Sequence, residues 1–129
     1  MKTKVIMAVD DDADNNFSLK LRLEKLDPEC EIITVDSGKK CLELLENNEI
    51  PDLILMDIMM PGANGWETYQ KLKENSTWKN IPVIFVSASS DELAEKIKDL
   101  LGNDYIEKPY DIEDVKKRID EIFENVSQK

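Results

Sequence analysis

The sequence predicts an α/β fold built on a five-stranded parallel sheet with helices on both faces. Two observations predict it. Short β-branched apolar runs alternate with amphipathic stretches along the whole chain, which is the pattern of repeated βα units. Three of those runs are apolar almost without interruption, as strands covered on both faces must be.

The first strand is predicted over Lys4–Val9, a run that ends in three aspartates. The first helix carries Leu19, Leu23 and Leu26 at four- and three-residue spacing and ends before Pro28, because the residue before a proline is pushed away from helical backbone. A second strand follows over Glu31–Val35. The second helix begins after Ser37 and uses Cys41, Leu44 and Leu45, and the third strand is Leu53–Met56. The third helix opens around Gly65 with Trp66, Tyr69 and Leu72 on one stripe, and the fourth strand is Val83–Val86. A fourth helix starts near Ser90, with Asp91 and Glu92 in the first turn where the helix dipole favours anions, and stops at Gly102. The fifth strand, Tyr105–Glu107, leads to a fifth helix capped by Asp111 and carrying Ile112, Val115, Ile119, Ile122 and Val126. That stripe is too short for a coiled coil and reads as a core-packing face. The second and fifth strands are the more polar ones and belong at the sheet edges.

The 129 residues fit a single domain, 1–129, with a core over about residues 3–126. Lys and Arg number 17 against 28 Asp and Glu, a net charge of −11 that repels phosphate backbones and anionic membranes. Neither nucleic acid nor membrane is an expected partner. Histidine is absent, which excludes imidazole-ligated zinc, histidine-based triads and a histidine phosphocarrier within this chain. Cys30 and Cys41 form neither a CxxC nor a disulfide framework, and no apolar run is long enough for a signal peptide or a membrane span, so a cytoplasmic setting is expected.

The unusual polar residues fall at strand ends: Asp10, Asp11 and Asp12 after the first strand, Asp57 after the third, Ser87 after the fourth and Lys108 after the fifth. In an open parallel sheet the carboxyl edge is where ligands bind. Alone, a run of aspartates is a solvated turn, Ser87 a cap and Lys108 a solvated cation. Four segments landing at one edge outweigh those separate readings. With strand order 2-1-3-4-5, the switch in winding falls between the first and third strands and sets Asp57 beside the aspartate run. Two unit charges ~4 Å apart repel by about 4 kcal/mol at an effective dielectric of ~20, so a proton or cation must relieve them. Hard oxygen donors favour Mg²⁺, with Mn²⁺ as substitute. A metal, a lysine, a hydroxyl and a projecting carboxylate together suit a phosphoryl group.

The segments VDDDADN, DLILMDIMMPGANGWE, VIFVSAS and YIEKPY, in that order, resemble the receiver domain of two-component response regulators across essentially the whole chain. The resemblance implies a flavodoxin-like, doubly wound sheet in the order 2-1-3-4-5. It implies that Asp57 is the phosphoacceptor, that Asp10, Asp11, Asp57 and the backbone carbonyl of Met59 hold Mg²⁺, and that Ser87 and Lys108 bind phosphoryl oxygens. Asp11 with Asp12 is the less favoured register for the metal pair. Tyr105 is the implied aromatic switch, turning inward as Ser87 moves. The phosphodonor would be a sensor histidine kinase or a histidine phosphotransfer protein, or a small acyl phosphate. Phosphorylation would change the surface made by the fourth helix, fifth strand and fifth helix, for a downstream protein target, onward phosphoryl relay or homodimer formation from a monomer. Such a chain promotes only its own phosphorylation and dephosphorylation and is not otherwise an enzyme. Departures from the common pattern are Ser87 for threonine, Ala13 for proline, Asn64 for aspartate, Tyr110 for phenylalanine, and GNDY, one residue shorter than the usual Gly-Ala-Asp-Asp-Tyr.

Three rivals are weaker. A haloacid-dehalogenase-like phosphatase would use Asp10 and Asp12, but Ala13–Asp14 does not continue that motif and no length remains for a cap domain. A flavodoxin-like electron carrier would offer amides, not carboxylates, to a flavin phosphate. A phosphorylation-independent interaction module would have no use for the full set of acids, hydroxyl and lysine. The chain stops soon after the fifth helix, which leaves open a stand-alone regulator or a receiver cut from a longer protein.

Overall fold

The structure is a computed structural model that describes residues 4–58, 65–87, 95–96, 99 and 105–127. Five strands, β1 (Lys4–Val9), β2 (Cys30–Val35), β3 (Leu53–Asp57), β4 (Val83–Ser87) and β5 (Tyr105–Glu107), form one sheet in the order β2-β1-β3-β4-β5. Every pairing is parallel. The expected fold class and order are therefore observed, and the two more polar strands are the edges. β3 and β4 each run one residue further than the apolar pattern indicates, so Asp57 and Ser87 are the last strand residues and not the first loop residues.

Strand alternation sends successive side chains to opposite faces. On one face Ile6, Ala8, Leu53, Leu55, Ile84, Val86 and Ile106 form a core with residues of α1 (Ala13–Leu26) and of the C-terminal helix (Ile112–Ser127). On the other, Met7, Val9, Ile54, Met56, Phe85 and Tyr105 pack with Cys41 and Leu45 of α2 (Gly38–Glu46) and Leu72 of α3 (Gly65–Glu74). Trp66, Tyr69 and Phe85 make an aromatic cluster in that layer, with ring centroids 5.1–6.0 Å apart. Leu26 departs from the expected core stripe. It is 38% exposed, because α1 ends there at its Asp27 cap and the sheet no longer covers that face.

Helix ends follow local chemistry. Ser37 caps α2 by accepting from the Lys40 amide at 3.1 Å, and Asp111 stands before the C-terminal helix, its carbonyl accepting from Asp114 and Val115. α2 and α3 touch where a Cβ on Gly38 would lie 2.0 Å from Thr68 Oγ1. At the amino end of the sheet Lys4 Nζ is 3.2 Å from Asp27 and 3.5 Å from Asp120, tying β1 to the turn after α1 and to the C-terminal helix. On the outer edge of β2, the Ile32 amide donates to Glu24 of α1 at 2.8 Å, and the Ile32 carbonyl accepts from Lys20 Nζ at 2.7 Å. Of the expected helix between Ser90 and Gly102 only residues 95, 96 and 99 are described, and they are helical and exposed. The surface expected to change on phosphorylation therefore lies partly outside the described residues, as do Met59, Asn64 and the GNDY turn before Tyr105.

Candidate functional site

Parity along the strands assembles the site. Asp10 continues the alternation of Ile6 and Ala8, Asp57 that of Leu53 and Leu55, and Lys108 follows Ile106 by two residues, so all three leave the sheet towards the layer of α1 and the C-terminal helix. They meet there. Lys108 Nζ lies 3.0 Å from Asp10 Oδ2 and 3.3 Å from Asp57 Oδ2. Asp10, Asp11 and Asp57 each bring a carboxylate oxygen within 4.8 Å of the others, Asp10 and Asp57 buried and Asp11 exposed. Burial pushes the Lys108 ammonium down, but the hydrogen bond and charge of Asp10 and the charge and hydrogen bond of Asp57 outweigh it and hold its pKa above the ordinary lysine value. The lysine stays charged at neutral pH.

The structure separates the three consecutive aspartates. Asp10 and Asp11 join Asp57, whereas Asp12 turns away and caps α1, accepting from the amides of Asp14 at 2.9 Å and Asn15 at 3.2 Å. Asp10 Oδ1 in turn accepts from the Asp12 amide at 2.9 Å. On β3 the start of α3 is pressed against the carbonyl of Asp57: a Cβ at Gly65 would sit 2.1 Å from that oxygen, so only glycine lets the helix begin there.

Ser87 is brought to the same edge but faces the other way. Its side chain is buried, and alternation after Val83 and Phe85 directs it into the layer that contains Tyr105. Its carbonyl accepts from the Lys108 amide at 3.0 Å, so the backbone joins the hydroxyl-bearing and lysine-bearing segments directly. Tyr105 is buried, 6% exposed, in that layer. The Lys108–Pro109 bond is cis.

Two site residues escape sequence reasoning. Asn15 Nδ2 donates to Asp10 Oδ2 at 3.4 Å, and Asn16 Nδ2 donates to the carbonyls of Asp10 at 2.8 Å and Val35 at 3.2 Å. The only available signal was their position one turn after the aspartate run. Asn16, Asp10, Asp57, Lys108 and Tyr110 border a cavity of about 20 Å³ beneath the charged cluster. The two cysteines are elsewhere in the core, and burial pushes the Cys41 thiol up to about 12. Among the described residues the site is thus an oxygen-only donor set with one fixed cation, suited to a hard divalent ion and to a phosphoryl group rather than to soft-metal or thiol chemistry.

Comparison with known proteins shows the family. The family model "Response regulator receiver domain" matches residues 6–120. Protein PilH of Pseudomonas aeruginosa is 33% identical over 120 residues, covering 92% of this chain and 96% of PilH. The uncharacterized transcriptional regulatory protein YrkP of Bacillus subtilis is 36% identical over 116 residues, 88% of this chain but 47% of YrkP, so the chain spans about half of that relative. Among solved structures, the receiver domain of the Francisella response regulator 1452 superposes with a TM-score of 0.80 at 26% identity, covering 96% of this chain and 99% of that one. The receiver domain of a signal transduction histidine kinase from Syntrophus aciditrophicus gives 0.85 at 25% identity, covering 98% and 95%. With the family match spanning most of the sheet and every strand end that carries the charged cluster, the chain belongs to the response regulator receiver domains.

Proposed function

We propose that this receiver accepts a phosphoryl group on Asp57. The observation that carries the proposal is the Lys108 ammonium held between Asp10 and Asp57, with Asp11 completing the acidic cluster. One Asp57 carboxylate oxygen attacks the phosphorus of a phosphohistidine on a sensor histidine kinase or phosphotransfer protein, or of a small acyl phosphate. The phosphorus bond to the donor nitrogen or oxygen breaks, the leaving group keeps the electron pair, and a mixed anhydride forms on Asp57. Lys108 pairs with a phosphoryl oxygen as the transferring charge develops. Ser87 donates its hydroxyl to another phosphoryl oxygen after a rotamer change, and that movement is the link to Tyr105 in the same layer.

Three carboxylate oxygens within 4.8 Å of one another fit a hard cation, so Asp10, Asp11 and Asp57 would hold Mg²⁺, with Mn²⁺ as substitute and the Met59 carbonyl as an expected further ligand outside the described residues. When bound, Mg²⁺ supplies positive charge against the phosphoryl oxygens. The partner that delivers the group must reach this edge. On α1, which begins at the site, Phe17 and Leu21 are 68% and 58% exposed one turn apart, and they offer the apolar ridge for the phosphohistidine-bearing protein. Such a donor places the chain in the cytoplasm. The output is a changed surface around β5 and its flanking helices, read by a downstream target or used for phosphoryl relay or homodimer formation. No described helix is long and apolar enough to cross a membrane.

The test is intact mass after incubation with a small acyl phosphate, with and without Mg²⁺, on wild type and Asp57→Ala. One phosphoryl group gained only with Mg²⁺, and lost in the variant, is the expected result. Equal labelling of Asp57→Ala would overturn the assignment.

A further inference from the structure

We propose that Asn16 is a positioning residue for the metal-binding aspartates: its amide, clamped on the carbonyls of Asp10 and Val35, fixes the turn that presents Asp10 and Asp11. The inference rests on the Mg²⁺ role of those aspartates proposed above.

Three segments converge on this side chain. Nδ2 spends both hydrogens on backbone carbonyls, Asp10 at the end of β1 and Val35 at the end of β2. The Asp10 amide donates to the same Val35 carbonyl, and the Asn16 amide donates to the carbonyl of Asp12, the cap of α1. Asn16 therefore joins the two strands and the first helical turn on either side of the aspartate run. Asp10 is held at its amide, its carbonyl and its carboxylate, the last by Lys108, the Asp12 amide and Asn15.

The orientation of the amide is forced. Both neighbours are carbonyls, which only accept, so the oxygen end cannot face them. Among the described residues Asn16 Oδ1 has no hydrogen-bond partner, and only 7% of the residue is exposed. Burying an amide here costs desolvation that an apolar residue packed beside Leu19 would avoid. What the asparagine provides in exchange is the double donation. Releasing it frees the Asp10 carbonyl, and the first property to suffer is the alignment of Asp10 and Asp11 on a cation. Groups that orient metal ligands from behind typically change affinity by ~10- to 100-fold when removed.

The experiment compares Asn16→Leu, which keeps bulk but removes both donors, with Leu45→Ala, a core truncation in the opposite layer. Mg²⁺ affinity is measured by calorimetry on the folded chains, and thermal unfolding is followed without divalent cation. Asn16→Leu is expected to weaken Mg²⁺ binding ~10-fold or more, whereas Leu45→Ala lowers the unfolding temperature and leaves affinity within ~2-fold of wild type. If Asn16→Leu does not fold, Asn16→Ser, which retains one donor, takes its place with an intermediate loss expected. Wild-type affinity in the folded Asn16 variant overturns the inference, since a purely structural tie would move only the unfolding temperature. A wild-type chain that binds no Mg²⁺ overturns the proposed function, and this inference with it.

Discussion

Replacing Lys108 by methionine keeps the apolar stem of the side chain and deletes the positive charge that lies between Asp10 and Asp57. At 3.0 and 3.3 Å the two attractions amount to about 5 kcal/mol each at an effective dielectric of ~20. Desolvation of the three groups, 19%, 12% and 11% exposed at their side chains, offsets most of that gross figure. What the variant leaves behind is a pair of buried carboxylates that have lost this counter-charge, and breaking a buried pair from one side costs about 3–5 kcal/mol. Asp11 opens the cluster to water on one side, so the low end applies: about 3 kcal/mol, or an unfolding temperature lower by roughly 10 °C for a domain of this size. The assay is urea unfolding at neutral pH without divalent cation, on wild type, Lys108→Met, Asp57→Asn and the double variant. In the Asp57→Asn background the Lys108→Met cost should shrink by about 1–2 kcal/mol, because half of the stranded charge is gone. Added Mg²⁺ should recover part of the loss in Lys108→Met alone. A single variant as stable as wild type, or costs that add without coupling, would refute the claim that this ion pair neutralises the site.

Gly38→Ala places a Cβ 2.0 Å from Thr68 Oγ1 and should cost about 1–3 kcal/mol in chemical denaturation, with most of it restored by a second change, Thr68→Ala; strictly additive costs would show that the two helices do not meet there. Burial pushes Asp27 up, but hydrogen bonds from Lys4 and the Glu29 amide outweigh it and hold its carboxyl below the ordinary value. A depressed carboxyl stabilises the fold above its unfolded pKa and loses that contribution as pH falls through the folded one. Asp27→Asn should therefore cost about 1 kcal/mol at neutral pH, and the gap to wild type should close in acid below about pH 4; a constant gap across the titration would assign the effect to packing. Phe17→Ser with Leu21→Ser should slow phosphoryl transfer from a phosphohistidine partner by an order of magnitude while labelling by a small acyl phosphate stays at the wild-type rate, and equal slowing of both would place the ridge outside the docking surface.

The sheet and the charged cluster were legible because both rest on one-dimensional signals. Continuous apolar runs mark strands covered twice, and a polar residue directly after such a run must emerge at the carboxyl edge. Which way it emerges needs exact strand ends. Counting Asp57 and Ser87 into their strands shows them leaving by opposite faces, a distinction the apolar pattern alone does not carry because it stops one residue short. The roles of the three aspartates were legible only in part, since capping by Asp12 depends on where α1 begins. Asn16 and Thr68 were hidden for a different reason. A polar residue in a helix reads as solvent-facing, and both are buried because another element's backbone or glycine lies against them. Leu26 is the converse, an apolar residue in helical register whose helix ends before the core does.

The bonds from Lys20 and Glu24 to the backbone of Ile32 have a consequence for assembly. An edge strand normally offers free amides and carbonyls on which a foreign strand can grow, the route to fibrils and to strand exchange between molecules. Here the middle of that edge is already occupied by two charged side chains of the same molecule, and an incoming strand would have to break charge-assisted bonds before forming neutral ones. The opposite edge, β5, is only three residues long. The described edges of the sheet are thus poor templates for the addition of a foreign strand.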